Sequence, residues 1–149
     1  MSGKRKSQAE LLGEVINRNV ITIAPSAAIS EAAYLMMNED VGALVVVDGD
    51  MKPVGIITDR DLVVTAMAEG INSDEIIVEE LMTRDLVTVD EDTDIFEMLS
   101  VLSEKSIRRL PVTRAGKLRG IVSVDDLIII VATELVNLAM ALSSKSKVL

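Results

Sequence analysis

The sequence predicts an α+β protein built from two βαββα repeats that pack sheet to sheet with pseudo-twofold symmetry. A pattern of apolar and hydroxyl residues recurs 66 residues along the chain, and each copy alternates β-branched runs with helical periodicity. A repeat of roughly 60 residues is too short to cover its own apolar sheet. Because 49% of the 149 residues are hydrophobic, we expect the two repeats to form one folded body.

The repeat is visible as stretches that match at a constant spacing. "VITI" at 20–23 matches "LVTV" at 86–89, and the spacing of 66 residues holds as far as the following hairpin. The spacing then falls to 65, so that "GIITDRDL" at 55–62 aligns with "GIVSVDDL" at 120–127. The difference of one residue falls in a loop, "DGDMK" against "RAGK", where hairpins tolerate changes of length.

Each repeat is predicted to run strand, helix, strand, hairpin, strand, helix. In the first repeat a β-branched strand at 21–23 precedes a helix with apolar residues at intervals of three and four. "ALVVV" (43–47) and "VGIIT" (54–58) are continuous apolar runs, which predicts antiparallel strands covered on both faces. The second helix ends at Gly70. The apolar stripe of the first helix comprises Ile29, Ala32, Ala33, Met36 and Met37, and its candidate caps are Ser26 and Ser30.

The second repeat follows the same order. Its first helix has Thr93 or Asp94 as a candidate cap, "RLPVT" and "LRGIVS" are its hairpin strands, and a long last helix runs from about Asp125 to Leu142. Tyr34 and Phe96 are predicted to pack on the core-facing stripes of the first helices. The predicted organisation is a tail with a short helix (1–13), a first domain (14–70), an acidic linker (71–80), a second domain (81–142) and a C-terminal tail (143–149).

Composition excludes several functional classes. The chain has no cysteine and no histidine, so it lacks thiolate metal sites and the most frequent general base, and we expect neither a metal site nor an enzyme. A net charge of −9 with a single tyrosine and a single phenylalanine argues against nucleic acid as a partner. With no recognisable secretory signal, and an apolar stretch at 127–142 shorter than the roughly 20 residues of a membrane span, we expect a cytoplasmic protein with no membrane partner.

A hydroxyl–carboxylate pair stands at the start of the second helix of each repeat. Thr58-x-x-Asp61 and Ser123-x-x-Asp126 both fit the capping box, and that structural role alone could explain them. However, each hydroxyl follows a glycine by three residues, and a missing side chain there leaves room for a close approach to the backbone. A carboxylate at such a place can accept hydrogen bonds from the two adjacent hydroxyls of a ribose. The pattern therefore also favours a ligand site.

"VGALVVVDGDMKPVGIITDRDL" (41–62) and "IRRLPVTRAGKLRGIVSVDDL" (107–127) resemble the tandem cystathionine-β-synthase (CBS) domain pair, also called the Bateman module. The resemblance extends from about residue 14 to residue 142. It implies βαββα units paired through their sheets, with two symmetry-related clefts that bind AMP, ADP, ATP or S-adenosylmethionine. It also implies a regulatory role toward an effector protein, and association of two modules into a disc of four domains, here a homodimer.

The resemblance assigns roles to residues of both repeats. Ribose would be held by Thr58, Asp61, Ser123 and Asp126. The adenine cleft would be lined by Ile21, Thr22, Gly42, Ala43, Val87 and Thr88. Phosphate would be bound by Arg108 and Arg109, with Arg18 and Arg84 as weaker candidates. The first repeat departs from the pattern because Gly42 and Ala43 stand where the second has Arg108 and Arg109, so one bound nucleotide per chain is as consistent with the sequence as two.

Three functional classes stay open. The leading interpretation is a regulatory module that binds an adenosine nucleotide of the AMP, ADP or ATP class and signals to a partner protein, with S-adenosylmethionine as an alternative ligand. The second is a ligand-free dimerisation adaptor, in which the capping boxes are purely structural. An enzyme acting on a nucleotide is the least favoured, because no nucleophile or basic partner has recognisable spacing.

Overall fold

Two three-stranded sheets, one in each repeat, form the framework of the protein. The computed structural model describes residues 6–145. The first sheet has the order β1 (Thr22–Ile23), β2 (Ala43–Val47), β3 (Pro53–Thr58). The second has the order β4 (Val89–Asp90), β5 (Arg109–Arg114), β6 (Lys117–Ser123). In each sheet the first strand is parallel to the second, and the second and third form an antiparallel hairpin.

The helices flank these sheets. They are α1 (Gln8–Val15), α2 (Ile29–Glu39), α3 (Asp59–Asp61), α4 (Val78–Leu81), α5 (Ile95–Lys105) and α6 (Val124–Lys145). The short α3 continues directly as a π-helix, Leu62–Met67. Two packed repeats of mixed strands and helices confirm the predicted fold class.

A proline explains why the two sheets differ at their first strands. In the first sheet the Val45 N–H donates to the carbonyl oxygen of Ile21 at 3.2 Å. The equivalent residue in the second sheet is Pro111, which has no N–H to donate. Pairing therefore begins at Thr22 in β1 but only at Val89, one repeat position later, in β4. Both strands are shorter than the sequence pattern predicts.

Each repeat has its own apolar core beneath its sheet. The stripe of α2 that enters the first core is Ile29, Ala32 and Met36, and the corresponding stripe of α5 is Ile95, Met98 and Leu102. The opposite face of each sheet is also covered, since Val45 in β2 is 1% exposed and its counterpart Pro111 in β5 is buried. Consecutive burial along β2 and β5 is what the continuous apolar runs predicted.

The predicted stripes are too broad. Tyr34 is 60% exposed and Phe96 is 62% exposed, so the prediction that they face the core is wrong. At about 100° per residue, Tyr34 lies on the far side of α2 from Ile29, and Phe96 lies about a third of a turn from the stripe of α5. Met37 and Ala33 are likewise exposed. The apolar character of these residues therefore belongs to a surface, not to the core.

The repeats exchange the segments that precede their first strands. Leu12 of α1 is buried in the core of the second repeat, whereas Val78 of α4, which is 66 residues later, is buried in the core of the first. The segment predicted as a linker thus contributes a core residue. Neither repeat completes its apolar core with its own preceding segment, which ties the two halves together.

Backbone hydrogen bonds fix this exchange. Asn17 and Ile121 exchange two N–H···O bonds of 2.9 Å, which adds Asn17 to the edge of β6. Thr83 and Ile56 do the same at β3, with bonds of 2.9 and 3.1 Å. The two contacts occupy equivalent positions in the repeats.

The exchanged segments also contribute to the helix starts. The N-cap of α2 is Ala28, whose side chain has no hydrogen-bond acceptor. Neither Ser26 nor Ser30 therefore caps this helix. Instead the N–H groups of Ile29 and Ser30 donate to carbonyl oxygens of the predicted linker, at 2.9 and 3.0 Å. In the second repeat the prediction for Asp94 is confirmed, since its carboxylate accepts from the N–H of Phe96 at 2.8 Å. The Gln8 side chain of α1 accepts from the neighbouring Ile95 N–H at 3.4 Å.

The two strand glycines are explained by the exchange. A Cβ at Gly120 would lie 2.7 Å from the carbonyl oxygen of Asn17, and one at Gly55 would lie 2.9 Å from that of Thr83. The space that the sequence suggested for a ligand is therefore filled by the chain itself. The glycines are needed for close approach of two backbones, not for a site.

Helix α6 extends well beyond the second core. Leu127 and Ile130 are buried, whereas Leu135, Leu138 and Leu142 are at least half exposed. The helix has 22 residues, more than the predicted 125–142. By length and composition alone its stretch Val124–Ser144 could cross a membrane, and within residues 6–145 it is the one helix that passes that test. Its first turns belong to the second core, which does not suit a spanning segment.

We expect Gly120→Ala to destabilise the protein by about 1–3 kcal/mol, because the added methyl group collides with a backbone oxygen that cannot rotate away. Gly49→Ala is the matched control, since a Cβ at Gly49 meets no atom within 4 Å. Urea unfolding measures both free energies. Equal midpoints for the two variants would contradict the tight approach of Asn17.

Candidate functional site

Three strand ends meet at one edge of each sheet. Because β1 is parallel and β3 antiparallel to β2, the start of β1, the start of β2 and the end of β3 share an edge. We call this the first sheet edge; its predicted site residues are Ile21, Thr22, Gly42, Ala43, Thr58 and Asp61. The second sheet edge is its equivalent, with Val87, Thr88, Arg108, Arg109, Ser123 and Asp126. The structure thus brings together, for each repeat, the residues assigned to ribose and to the cleft walls.

At the first sheet edge the capping box is complete. The Asp61 N–H donates to Thr58 Oγ1 at 3.2 Å, and Asp61 Oδ2 accepts from the Thr58 N–H at 2.8 Å. Ala43 lies directly opposite Thr58 in the β2–β3 ladder. Both members of the pair are half-buried, so the cap fixes their side chains beside the start of β2.

The second sheet edge has the same cap with one bond more. The Asp126 N–H donates to Ser123 Oγ at 3.2 Å, and Asp126 Oδ2 accepts from the Ser123 N–H at 3.3 Å and from its hydroxyl at 2.8 Å. In both repeats the cap uses only Oδ2. Within residues 6–145, Oδ1 of Asp61 and Oδ1 of Asp126 have no hydrogen-bond partner. Each carboxylate can cap its helix and still offer an acceptor.

The arginines predicted for phosphate lie at the second sheet edge. Arg109 pairs with Ser123 in the β5–β6 ladder, and its side chain is exposed. Arg108 precedes it and forms an ion pair with Asp125 at 3.2 Å, in which both side chains are more than 70% exposed. Such an exposed pair is worth roughly 0–1 kcal/mol, so the guanidinium can exchange this partner for a phosphate oxygen.

The first sheet edge has no such cations on β2. Gly42 occupies the position of Arg108, and the Asp59 carboxylate lies over it, with Oδ2 3.2 Å from the place of a Cβ. Asp59 is an additional candidate residue of this edge that the sequence did not single out. Its signal is available only from the two-repeat alignment, where Asp59 matches Val124.

The weaker phosphate candidates lie on the exchanged segments. Arg84 follows the bridging Thr83, and its guanidinium contacts the Glu79 carboxylate at 3.5 Å and donates to the Glu79 carbonyl oxygen at 3.1 Å. Arg18 follows Asn17 and lines a cavity of about 190 Å³ that runs beside α1 and past its C-terminal end. Among residues 6–145, no hydrogen bond or ion pair joins Arg18 or Arg84 to a capping box. Their role in phosphate binding stays a prediction.

The larger cavities are apolar grooves between helices. One of about 400 Å³ lies between α1, α5 and α6, and one of about 390 Å³ lies between α2 and the π-helix. Neither groove is lined by the Thr58–Asp61 or the Ser123–Asp126 pair, although Asp59 lines the groove beside α2. Among residues 6–145, no group of three acidic side chains is arranged to hold a metal ion.

Comparison with known proteins gives the chain its family. The model of the CBS domain matches residues 12–67 and 78–133, two segments that begin 66 residues apart. An uncharacterized protein of Methanopyrus kandleri is 41% identical over 118 residues, which is 78% of this chain and 60% of the relative. Hypoxic response protein 1 of Mycobacterium tuberculosis is 32% identical over 114 residues, 76% of this chain and 80% of the relative.

A solved structure extends the comparison to a bound ligand. The crystal structure of CBSX2 in complex with AMP is 26% identical, with a TM-score of 0.66, and the match covers 82% of this chain and 96% of that one. The chain spans about three fifths of the length of the M. kandleri relative.

We expect Ser123→Ala to lower the free energy of unfolding by about 1 kcal/mol, because it removes the oxygen that accepts the Asp126 N–H. Ser100→Ala, an exposed position on α5, is the matched control. Urea unfolding compares the two. If both variants are as stable as the parent, the second capping box contributes nothing to the fold.

Proposed function

Because the chain belongs to the CBS domain family and contains the domain twice, we propose that it is a regulatory module that binds an adenosine nucleotide of the AMP, ADP or ATP class at its sheet edges. CBS-pair proteins are generally regulatory or signalling modules. The nucleotide would report metabolite or energy state to a separate effector protein in the cytoplasm. No catalytic step is part of the proposal.

The repeated cap is the observation that carries the proposal. A carboxylate that is oriented by a helix start, and that retains a free oxygen, can accept from one or both hydroxyls of a ribose. Thr58 and Ser123 fix the orientation of Asp61 and Asp126, so neither carboxylate has to be ordered when a ligand arrives. The fact that both repeats place this pair at equivalent strand ends favours a recurrent ligand group over two unrelated caps.

The nucleotide class follows from charge and from the relative that binds AMP. Arg108 and Arg109 offer two exposed guanidinium groups beside the Ser123–Asp126 cap. The AMP complex of CBSX2 supports adenosine as the nucleoside. The overall charge of −9 favours AMP or ADP over free ATP.

A ligand-free adaptor is the second candidate. Both capping boxes are complete within the chain, so the fold does not require a ligand to satisfy these groups. In that case the sheet edges are simply helix starts, and the function lies in self-association. S-adenosylmethionine, which has the same ribose, is the alternative ligand within the first proposal.

We expect AMP or ADP, at a hundredfold excess over Kd, to stabilise the protein by about 2.7 kcal/mol and to raise its Tm by roughly 5–10 °C in a thermal-shift panel of adenosine compounds, with GTP as the non-adenine control.

Asp126→Asn tests whether the capping carboxylate of the second repeat binds the nucleotide. Its amide oxygen can still accept the Ser123 N–H, whereas its amide nitrogen replaces the free acceptor. AMP binding should weaken about ten- to a hundredfold, with unfolding nearly unchanged.

Glu104→Gln is the control, because it removes one negative charge, as Asp126→Asn does, at an exposed position on α5. This variant should bind AMP like the parent. If Asp126→Asn loses stability but binds AMP normally, the carboxylate is only a cap. Flat thermal-shift curves for the whole panel would favour the adaptor.

The proposal includes a homodimer. Exposed apolar residues follow α6 beyond the second core, at Ile128, Leu135, Leu138 and Leu142, and Phe96 of α5 shares a groove with Leu135 and Leu138. Val63 and Met67 on the π-helix are exposed as well. From residue 128 to residue 142 the one ionisable side chain is Glu134. A surface that is long, apolar and nearly uncharged can pair with its own copy despite the acidic net charge.

We expect Leu138→Glu to convert a dimer into a monomer in sedimentation or light-scattering measurements, because two copies would bury unpaired carboxylates at the contact. Leu138 is half exposed, so folding should be preserved. Met51→Glu, in the β2–β3 hairpin, is the matched control and should leave the mass unchanged. A parent protein that is monomeric at high concentration contradicts the dimer.

A further inference from the structure

We infer that the two sheet edges have different ligand preferences: the second takes phosphorylated adenosine compounds, whereas the first takes adenosine compounds with no negative charge on the 5′ group. This inference rests on the proposed function and adds the ligand class of each site. The residue that separates the two sites is Asp59, which has no acidic counterpart in the second repeat.

The backbone at the two edges is equivalent, so the side chains can be compared directly. The Asp59 N–H donates to the carbonyl oxygen of Gly42 at 2.9 Å. The Val124 N–H donates to the carbonyl oxygen of Arg108 at the same 2.9 Å. One backbone position therefore holds an aspartate over a glycine in the first repeat, and a valine beside an arginine in the second.

Asp59 gives the first sheet edge a second carboxylate. Its Oδ2 lies 3.2 Å from where a Cβ of Gly42 would be, over a residue with no side chain to screen it. Asp61, two residues on, supplies the capping carboxylate. Arg60 lies between them in the sequence and is exposed, and no ion pair joins it to either carboxylate among residues 6–145.

The second sheet edge combines two cations with two carboxylates and is neutral in sum. Arg108 and Arg109 are on β5, Asp125 and Asp126 are at the start of α6, and Val124 adds no charge. Asp125 contacts Arg108 in an exposed ion pair, and no ion pair involving Arg109 is found among residues 6–145. A phosphate at this edge meets a free cation and a second that is weakly held. The same phosphate at the first edge meets two carboxylates.

The size of a nucleoside makes this difference matter. A group on the 5′ carbon of a ribose stays within about 8 Å of a carboxylate that holds its 2′ and 3′ hydroxyls, which is about one Debye length at physiological salt. Repulsion between like charges at that distance is therefore not screened away. It acts at both edges, but Arg108 and Arg109 offset it at the second, whereas Gly42 and Ala43 carry no charge at the first and Asp59 adds to it. An uncharged or cationic 5′ group avoids the penalty, so we expect the first edge to discriminate against AMP by about tenfold relative to adenosine.

Titration calorimetry tests the inference by stoichiometry. The parent should bind one AMP per chain and two adenosine molecules per chain, with S-adenosylmethionine as a cationic probe that also reaches the first edge. In Asp126→Asn the AMP site should weaken about ten- to a hundredfold, whereas one adenosine site keeps its parental affinity. These results separate the two edges without any assumption about which is stronger.

Exchanging residues between the edges is the sharper test. In the Asp126→Asn background, Gly42→Arg with Asp59→Val gives the first edge the counterparts of Arg108 and Val124, and AMP binding should become about tenfold tighter at one site per chain. Asp59→Val alone should improve AMP affinity while adenosine affinity stays within about twofold. The converse pair, Arg108→Gly with Val124→Asp in the otherwise parental chain, should reduce AMP binding at the second edge.

The outcomes are distinguishable from those of the proposed function. Two equal AMP sites in the parent, or exchange variants with unchanged AMP affinity, overturn the difference between the edges and leave a nucleotide-binding module. If no adenosine compound binds the parent, the proposed function itself fails, and the difference between the edges fails with it.

Discussion

The reciprocal backbone contact between the repeats is the constraint on which the rest of the structure depends. Asn17 pairs with β6 of the second repeat, and Thr83 pairs with β3 of the first. Each contact requires a glycine on the strand, since a Cβ at Gly55 or Gly120 would collide with the incoming backbone. Once these segments are seated, Leu12 and Val78 close the cores of the opposite repeats, and the start of each first helix gains backbone or side-chain partners from the segment that crosses over. The two halves are therefore mutually dependent rather than merely adjacent.

The candidate site follows from this framework. Strand pairing places the starts of two strands and the end of the third at one edge of each sheet, and the capping box then orients a carboxylate there. The scaffold repeats, but the residues on it do not. Gly42 and Asp59 in one repeat correspond to Arg108 and Val124 in the other, with the same backbone hydrogen bond beneath them. Because the backbone is duplicated while these side chains differ, the two repeats of one chain present two different electrostatic environments.

The fold and the candidate residues were largely accessible from sequence, for identifiable physical reasons. Continuous apolar runs predicted β2 and β5, and the hydroxyl–carboxylate spacing predicted both caps. What could not be predicted depends on tertiary contacts. A strand glycine has the same signature whether a ligand or another segment approaches it, so the role of the two glycines was assigned wrongly. An exposed aromatic residue such as Phe96 has the same periodic signature as a core residue, because sequence alone does not show which face of a helix is covered. Asp59 became informative only when its place over Gly42 was visible.

The crossing of the two segments has a consequence for any shortened version of this protein. A fragment that begins after Asn17 keeps the second sheet but loses Leu12 and the strand partner of Ile121, and the open edge of β6 then presents unpaired amides and carbonyls beside an uncovered apolar cavity. Such a fragment still carries Val78 and Thr83, the counterparts of Leu12 and Asn17, and a neighbouring copy can supply them. Single-repeat fragments should therefore tend toward domain-swapped oligomers, and the intact chain can be regarded as a swap already completed within one polypeptide.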